Sequence, residues 1–380
     1  MFFMELPADI YGYILPALMA ASAAVHLTYT LRYHLKAARW NDHNGATQHN
    51  EPVSVVICAR NEAEALAANL PAIFEQKHAA FEVVVVNDSS EDDSDLVLSR
   101  LKAQYPGLKI STIARDPRFH RNRKLAHVVG IKAATNDLLL LTEPGCRPAS
   151  GSWLTQMTAP MAAGRDIVLG YGGYHAGRGL LNRYMRYDTM TGAMQYAGMA
   201  LTGRPFRGVG RNLAYRKSLF MKSNGFASHY HLPSGYDGLF VNTTATTSNT
   251  AVVLGESSHT RAEPPATAAG YIRDRRMQMA SVPMYPTRDR LLMAAEPMAR
   301  AVFYLSTAIL TATLNMWQVT APLATIVIGI RAMVLHRASI CFAEKGITAY
   351  AVLFDILSPF IDSLLYIAKF GNKAGTRAWR

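Results

Sequence analysis

The sequence predicts an α/β protein in which a doubly wound, mostly parallel sheet is set between transmembrane helices at both ends of the chain. Three observations carry that reading. A long stretch free of formal charge opens the chain and further apolar blocks close it. Between Glu51 and about Ser258, short β-branched runs alternate with polar stretches of helical spacing. Half of the 380 residues are apolar and only 17% are charged, which suits a large buried core and excludes intrinsic disorder. Three parts follow: an N-terminal anchor over 1–40, an α/β domain over 51–285 and membrane helices over 296–370.

Tyr11 to Leu31 holds no Asp, Glu, Lys or Arg, and as a helix its residues span about 32 Å, enough to cross a bilayer core. Glu5 and Asp9 precede it, and Arg32, Lys36 and Arg39 follow. These flanks are those of an uncleaved anchor and not of a signal peptide. Because basic flanks stay in the cytosol, the N-terminus is expected outside an inner (cytoplasmic) membrane, with the domain after Arg32 on the cytosolic side.

In the domain, Val53–Cys58 reads as a parallel strand buried on both faces, and Asn61–Gln76 as a helix with apolar spacing at Leu66, Leu70 and Ile73. Phe81–Val86 and Asp92–Tyr105 repeat the pair. Lys109–Ile113 is a third strand, Lys124–Ala134 a third helix and Asp137–Leu141 a fourth strand. Beyond the domain, Ala301–Ile330 is charge-free and, at about 45 Å as one helix, too long for a single span. It predicts a hairpin turning at Asn315–Gln318, with Arg300 and Arg331 snorkelling to the surface. Ala349–Phe370 carries Asp355, Pro359 and Asp362, which leaves a third span and an interfacial or re-entrant helix both open.

The formal charge of +12 calls for an anionic partner. The basic residues gather beside the membrane segments and form no aromatic-interleaved stripe, so anionic membrane lipid is expected and nucleic acid is not. Cys58, Cys146 and Cys341 are odd in number and far apart, which argues against a disulfide framework or a structural zinc site. No G-x-G-x-x-G opens a helix, and P-loop, zincin and nucleophile-elbow motifs are lacking.

Ligands of such sheets bind outside the carboxyl ends of the strands. There the sequence places Arg60, Asn61 and Glu62 after the first strand, Asn87, Asp88, Ser89 and Ser90 after the second, and Glu143 after the fourth. Plainer roles exist for each: Asp88 and its neighbours can cap the next helix, and Glu143 before Pro144 can favour a turn. Lys124 beside Arg121 and Arg123 can be part of a solvated face, and Asp237 has the setting of any loop residue. His229 and His231 lack a supporting ligand cluster and read as structural, and Met277, Met279 and Met284 as packing groups.

In these residues and their order, the sequence resembles the family-2 glycosyltransferases, membrane-anchored enzymes with a GT-A type nucleotide-sugar domain, over about residues 52–285. Pro52–Glu62 looks like the family's first strand and loop, Val86–Ser90 its second acidic motif, and Lys124, Ala126 and Gly130 the helix near the diphosphate. Thr142–Pro148 stands where the family has the Asp-x-Asp that holds Mg²⁺ or Mn²⁺. Gly208–Lys217 resembles the acceptor-side stretch, with Arg211 and Asn212, and Gly235–Leu239 the motif of the catalytic base.

The resemblance implies an inverting transfer from a nucleotide-sugar, a UDP-sugar, to a cell-envelope glycan or lipid-linked acceptor. Asp237 would be the base, Arg60, Glu62, Asp88 and Lys124 would bind the donor, and Glu143 would hold the metal. The pattern also departs from the family. Gly145 replaces the second metal Asp, and the Q-x-x-R-W element reads Asp274-Arg-Arg-Met-Gln278, where Arg275 and Arg276 would supply cationic support at the diphosphate. These losses keep open a catalytically impaired homologue serving as a membrane scaffold or partner subunit.

Overall fold

The apolar N-terminal segment becomes helix α1 (Leu15–Tyr29), which continues through a π-type turn over Thr30–His34 into α2 (Leu35–Ala38). The computed structural model describes residues 10–41, 51–114, 123–232, 234–314 and 316–371. Glu5 and Asp9, which frame the expected anchor, lie outside them.

Strand β1 (Val53–Ala59) is buried along its whole length, as the continuous apolar run requires for a strand covered on both faces. Helix α3 (Ala63–Phe74), β2 (Phe81–Asp88), α4 (Ser94–Gln104), β3 (Leu108–Ile113), α5 (Arg123–Ala133) and β4 (Leu138–Thr142) follow, each within two residues of its sequence-predicted bounds. The short elements β5 (Cys146–Pro148), α6 (Trp153–Ala162), β6 (Ile167–Leu169) and β7 (Gly172–Tyr174) lead to a long helix, α7 (Leu180–Leu201). After it come β8 (Leu213–Arg216), α8 (Lys217–Lys222), α9 (Gly238–Thr244), β9 (Thr250–Val252), β10 (Thr260–Ala262) and α10 (Ala268–Met279).

The main sheet has the order β3-β2-β1-β4-β8-β6-β9, with a small second sheet β5-β10-β7 beside it. Its first four strands pair in parallel, β8 runs antiparallel to both β4 and β6, and β6–β9 is again parallel. Alternation along each strand divides the core into two. Val55, Ile57, Val83 and Val85 pack with Leu66, Leu98 and Trp153 on one face. Val56, Val84, Leu139 and Leu141 join the other, where the same apolar cluster runs on through Tyr187 and Met190 to Tyr33, Val334 and Phe354 of the apolar terminal helices. The sheet and the terminal helices therefore share one core.

The charge-free block near the C-terminus does form a helical hairpin, α11 (Thr287–Ala312) and α12 (Trp317–Cys341), with Thr313, Leu314 and Met316 between the two helices. Asn315, a residue of the expected turn, lies outside the described residues. Helix α13 (Thr348–Gly371) runs through Pro359 as one piece. Among the described residues, three helices are long and apolar enough to cross a membrane: Gly12–Ala38, Trp317–Cys341 and Thr348–Leu365.

Arg300 and Arg331 do not snorkel, which corrects the sequence reading. Both turn inward: Arg300 Nη1 lies 2.6 Å and Arg331 Nη2 2.8 Å from Asp355 Oδ1. The Asp355 carboxylate also accepts from Tyr187 Oη at 2.7 Å and Tyr304 Oη at 2.9 Å. A carboxylate that would be costly in lipid is thus neutralised by cations from the preceding hairpin.

Candidate active site

Parallel pairing brings the ends of β1, β2 and β4 to one edge, since Ala59 lies opposite Asn87 and Ile57 opposite Thr142. The loops that emerge there are stitched together. Asn61, in the left-handed region at φ 51°, accepts from the Glu91 amide at 2.7 Å and donates its own amide to Ser90 Oγ at 2.9 Å. The Ala63 amide donates to Asp92 Oδ2 at 3.0 Å, so Asp92 serves the start of α3. Asp88 is buried and faces a different partner, Arg60, whose Nη1 lies 3.8 Å from its Oδ2. Burial, reinforced by the charge of Glu143, holds the Glu62 carboxyl above its ordinary value.

Glu143 sits at the centre of this edge. Its Oε1 is 2.6 Å from Arg123 Nη2 and accepts from Tyr236 Oη at 3.2 Å, while its Oε2 is 3.3 Å from Arg211 Nε. Burial pushes this carboxyl up, but the two arginines outweigh it and hold it at about 2. Aromatic rings steady both cations, with Arg123 Cζ 4.6 Å from the Tyr236 ring centre and Arg211 Cζ 4.4 Å from that of Tyr174. Tyr236 in turn stacks on the buried His127 at 4.0 Å. Arg123 therefore belongs to this cluster and not to a solvated face.

Asp237 lies next along the chain. Its Oδ2 accepts from the Gly210 amide at 2.9 Å and its Oδ1 from the Gly238 amide at 2.6 Å, which fixes it at the N-terminus of α9 and against the 208–212 loop. Lys124 is buried close by, its ammonium donating to the carbonyls of His229 and Leu232. Burial lowers its pKa to about 8, against the pull of Asp237.

Two expected site residues are placed elsewhere. Asn212 is wholly buried and its amide is spent on the core: Nδ2 donates to the carbonyls of Tyr171 and Ser258, and Oδ1 accepts from Trp153 Nε1. It braces the strands and does not face an acceptor. Arg275 points toward the C-terminal helices, with Nε 3.2 Å from Asp188 and Nη2 2.9 Å from Asp362, and is removed from Glu143 by these pairings. Arg276 Nε is buried and makes no hydrogen bond among the described residues. His229 is buried against Ser228 and His231 is exposed, in keeping with structural roles.

Sequence reasoning missed Asp274, the residue before Arg275 on α10. Burial raises its pKa, and Arg211 and Arg123 are among the charges it feels, so it lies on the Glu143 side. Its place within the degenerate Q-x-x-R-W element was the available signal.

The residues present do not fit a divalent cation at Glu143. Such an ion draws on anionic oxygen donors, whereas both oxygens of Glu143 face guanidinium groups, and the described residues contain no group of three or more His, Cys, Asp or Glu able to hold a metal.

Residues 54–223 match the family described as Glycosyl transferase family 2. No curated protein matches the chain at a significant level. Among solved structures, the mannosyltransferase PcManGT from Pyrobaculum calidifontis, in complex with GDP-Man and Mn²⁺, is 18% identical over 92% of this chain and 99% of its own, with a TM-score of 0.56. TarS (residues 1–349) from S. aureus is 14% identical over 85% of this chain and 93% of its own, at a TM-score of 0.42. Glucosyl-3-phosphoglycerate synthase from Mycobacterium tuberculosis is 15% identical over 66% and 84%, at 0.41. Residues 54–223 of this chain thus resemble the glycosyl transferase family 2 domains, and the chain is built on a GT-A type fold.

Proposed function

We propose that the chain is a membrane-bound inverting glycosyltransferase that moves a sugar from a UDP-sugar to a glycan or lipid-linked acceptor of the cell envelope. The observation that carries this reading is the meeting, at the carboxyl edge of the sheet, of a carboxylate held by backbone amides (Asp237) with the Arg123–Glu143–Arg211 cluster. Asp237 takes the proton of the acceptor hydroxyl as that oxygen attacks the anomeric carbon, and cations at the site receive the charge of the departing diphosphate. Glu62, Arg60 and Asp88 face the nucleoside. The solved mannosyltransferase of like fold, in complex with GDP-Man, supports a nucleotide-sugar donor. Mg²⁺ or Mn²⁺ has no step here, because Glu143 is engaged by cations.

In this reading the domain sits on the cytosolic side of an inner membrane with the N-terminus outside. Support comes from Arg32, Lys36 and Arg39, exposed just after the first apolar helix. With Leu31, Leu35 and Trp40 these residues line a groove of about 370 Å³, suited to an anionic lipid headgroup.

The test of the donor site is UDP binding to detergent-purified protein. Asp88→Ala is expected to weaken it by about 1–3 kcal/mol, the cost of a lost buried hydrogen bond. Affinity equal to wild type would remove Asp88 from the site, and no nucleotide binding by either protein would favour the scaffold reading.

A further inference from the structure

A divalent cation at the end of the fourth strand would have to bind Glu143, whose two carboxylate oxygens already face two fixed positive charges. Glu143 Oε1 lies 2.6 Å from Arg123 and Oε2 3.3 Å from Arg211. The position two residues on is Gly145, which offers no ligand, and the space where its Cβ would lie is open to 4 Å. The guanidinium groups are not passing surface contacts. Arg211 Nη2 donates to Tyr174 Oη at 2.8 Å and its plane lies over that ring, while Arg123 lies over Tyr236. Both keep a route to ligand, with side-chain exposures of 21% for Arg123, 15% for Arg211 and 24% for Glu143. Guanidinium carries donors in a fixed fork that matches phosphate oxygens, and held by aromatic rings it loses little freedom on binding.

We propose that Arg123 and Arg211 take the place of the metal at this site, receiving the diphosphate of the nucleotide-sugar directly, with Glu143 as an anionic spacer that holds the two guanidinium groups ready and is not a metal ligand. The proposal rests on the glycosyltransferase reading above. In the transfer step, the bond between the anomeric carbon and the β-phosphate oxygen breaks with its electron pair staying on that oxygen. The acceptor oxygen forms the new bond to the anomeric carbon, its proton passes to Asp237, and the guanidinium N–H groups stabilise the added negative charge on the nucleoside diphosphate. No ion is consumed or released.

The two roles of Glu143 make opposite predictions. A metal ligand replaced by Gln weakens metal-supported binding. A spacer replaced by Gln no longer competes with the diphosphate for the arginines, so the diphosphate binds more tightly.

The experiment is calorimetric titration of UDP, with uridine as control, into full-length protein in detergent, in EDTA and in excess Mn²⁺ or Mg²⁺. UDP is expected to bind wild type with dissociation constants in EDTA and in metal that agree within about threefold. In EDTA, Glu143→Gln is expected to bind UDP about three- to tenfold more tightly, and Arg211→Lys about tenfold more weakly, because lysine keeps the charge but loses the fork. Uridine affinity should be unchanged in both. Thermal melting without nucleotide identifies a variant that fails to fold, and the opposite signs of the two variants keep either one decisive. A loss of UDP affinity beyond about tenfold in EDTA, or weaker metal-supported binding by Glu143→Gln, would overturn the arginine assignment while leaving the transferase reading intact. Failure of UDP to bind wild type under either condition would overturn both.

Discussion

Two buried imidazoles give the domain a sensitivity to mild acid. His127 has both ring nitrogens buried without a hydrogen bond and is stacked on Tyr236. Burial, with Arg123 beside it, pushes its pKa well below the usual value. His259 is lowered to about 4 by burial and by Arg261. In each case the unfolded chain takes up a proton near pH 6.5 while the folded protein does not, so stability is full above that pH and falls as pH drops toward 4. The slope reaches about 1.4 kcal/mol per pH unit for each ring. Melting temperature followed from pH 7.5 to 5 should fall for wild type and fall less for His127→Phe; parallel curves would show that His127 is not held neutral. Glu143 acts in a lower window, its ion pairs stabilising the fold above about pH 4.5 and being lost toward its folded value of about 2. The positions of Glu62, Asp88 and Glu143 at the carboxyl ends of parallel strands were legible in the sequence: Asp88 closes β2, Glu143 follows β4 and Glu62 lies just beyond β1. The pairing of Glu143 was not, since its partners lie 20 and 68 positions away and only the folded chain brings them together. Asn212 misled for the complementary reason: a polar residue beside a recognisable motif was spent on the core.

At the scale of elements, the helix that ties domain to membrane segment is α7. Its Gly198 packs on the backbone of Tyr33 so closely that an added Cβ would fall well inside van der Waals contact with the Tyr33 carbonyl. Backbone cannot yield as a flexible side chain can, so Gly198→Ala is expected to cost about 2–3 kcal/mol and to loosen the N-terminal helix. Limited proteolysis after Arg39 reads this directly, and cleavage no faster than wild type would contradict the close packing. The first four strands and their helices were legible from β-branched runs and helical spacing, because a strand buried on both faces needs a continuous apolar run. The short strands β5 to β10 were not, since three or four residues leave no period to detect. Helix α10 turned its expected cation away from the site: Arg275 answers Asp188 and Asp362, acids whose positions depend on how α7 and α13 lie beside it.

Across the whole molecule, buried carboxylates join the parts. Glu344, at the α12–α13 turn, accepts from Tyr171 Oη at 2.7 Å and Arg186 Nε at 2.7 Å and also pairs with Arg261, which fastens the terminal helices to the domain. Asp355 binds Arg300, Arg331, Tyr187 and Tyr304 from three helices. Asp355→Ala leaves the two buried guanidinium groups with Glu296 alone, 3.4 Å from Arg300 and 3.8 Å from Arg331, and a loss of about 3 kcal/mol is expected, read as a lower melting temperature in detergent; an unchanged one would mean that the cluster adds nothing to the bundle. The sequence showed an acidic residue in an apolar block but not its solution, because the compensating arginines stand in another block and were expected to reach for the surface. The proposed transfer depends on Asp237 as its base. The direct measurement is nucleoside diphosphate release by purified wild type and Asp237→Asn over a panel of UDP-sugars. Wild type should turn over at least one donor, and Asp237→Asn should lower the rate by about 10²–10⁴ while leaving UDP affinity nearly intact; equal background rates from both proteins would contradict it.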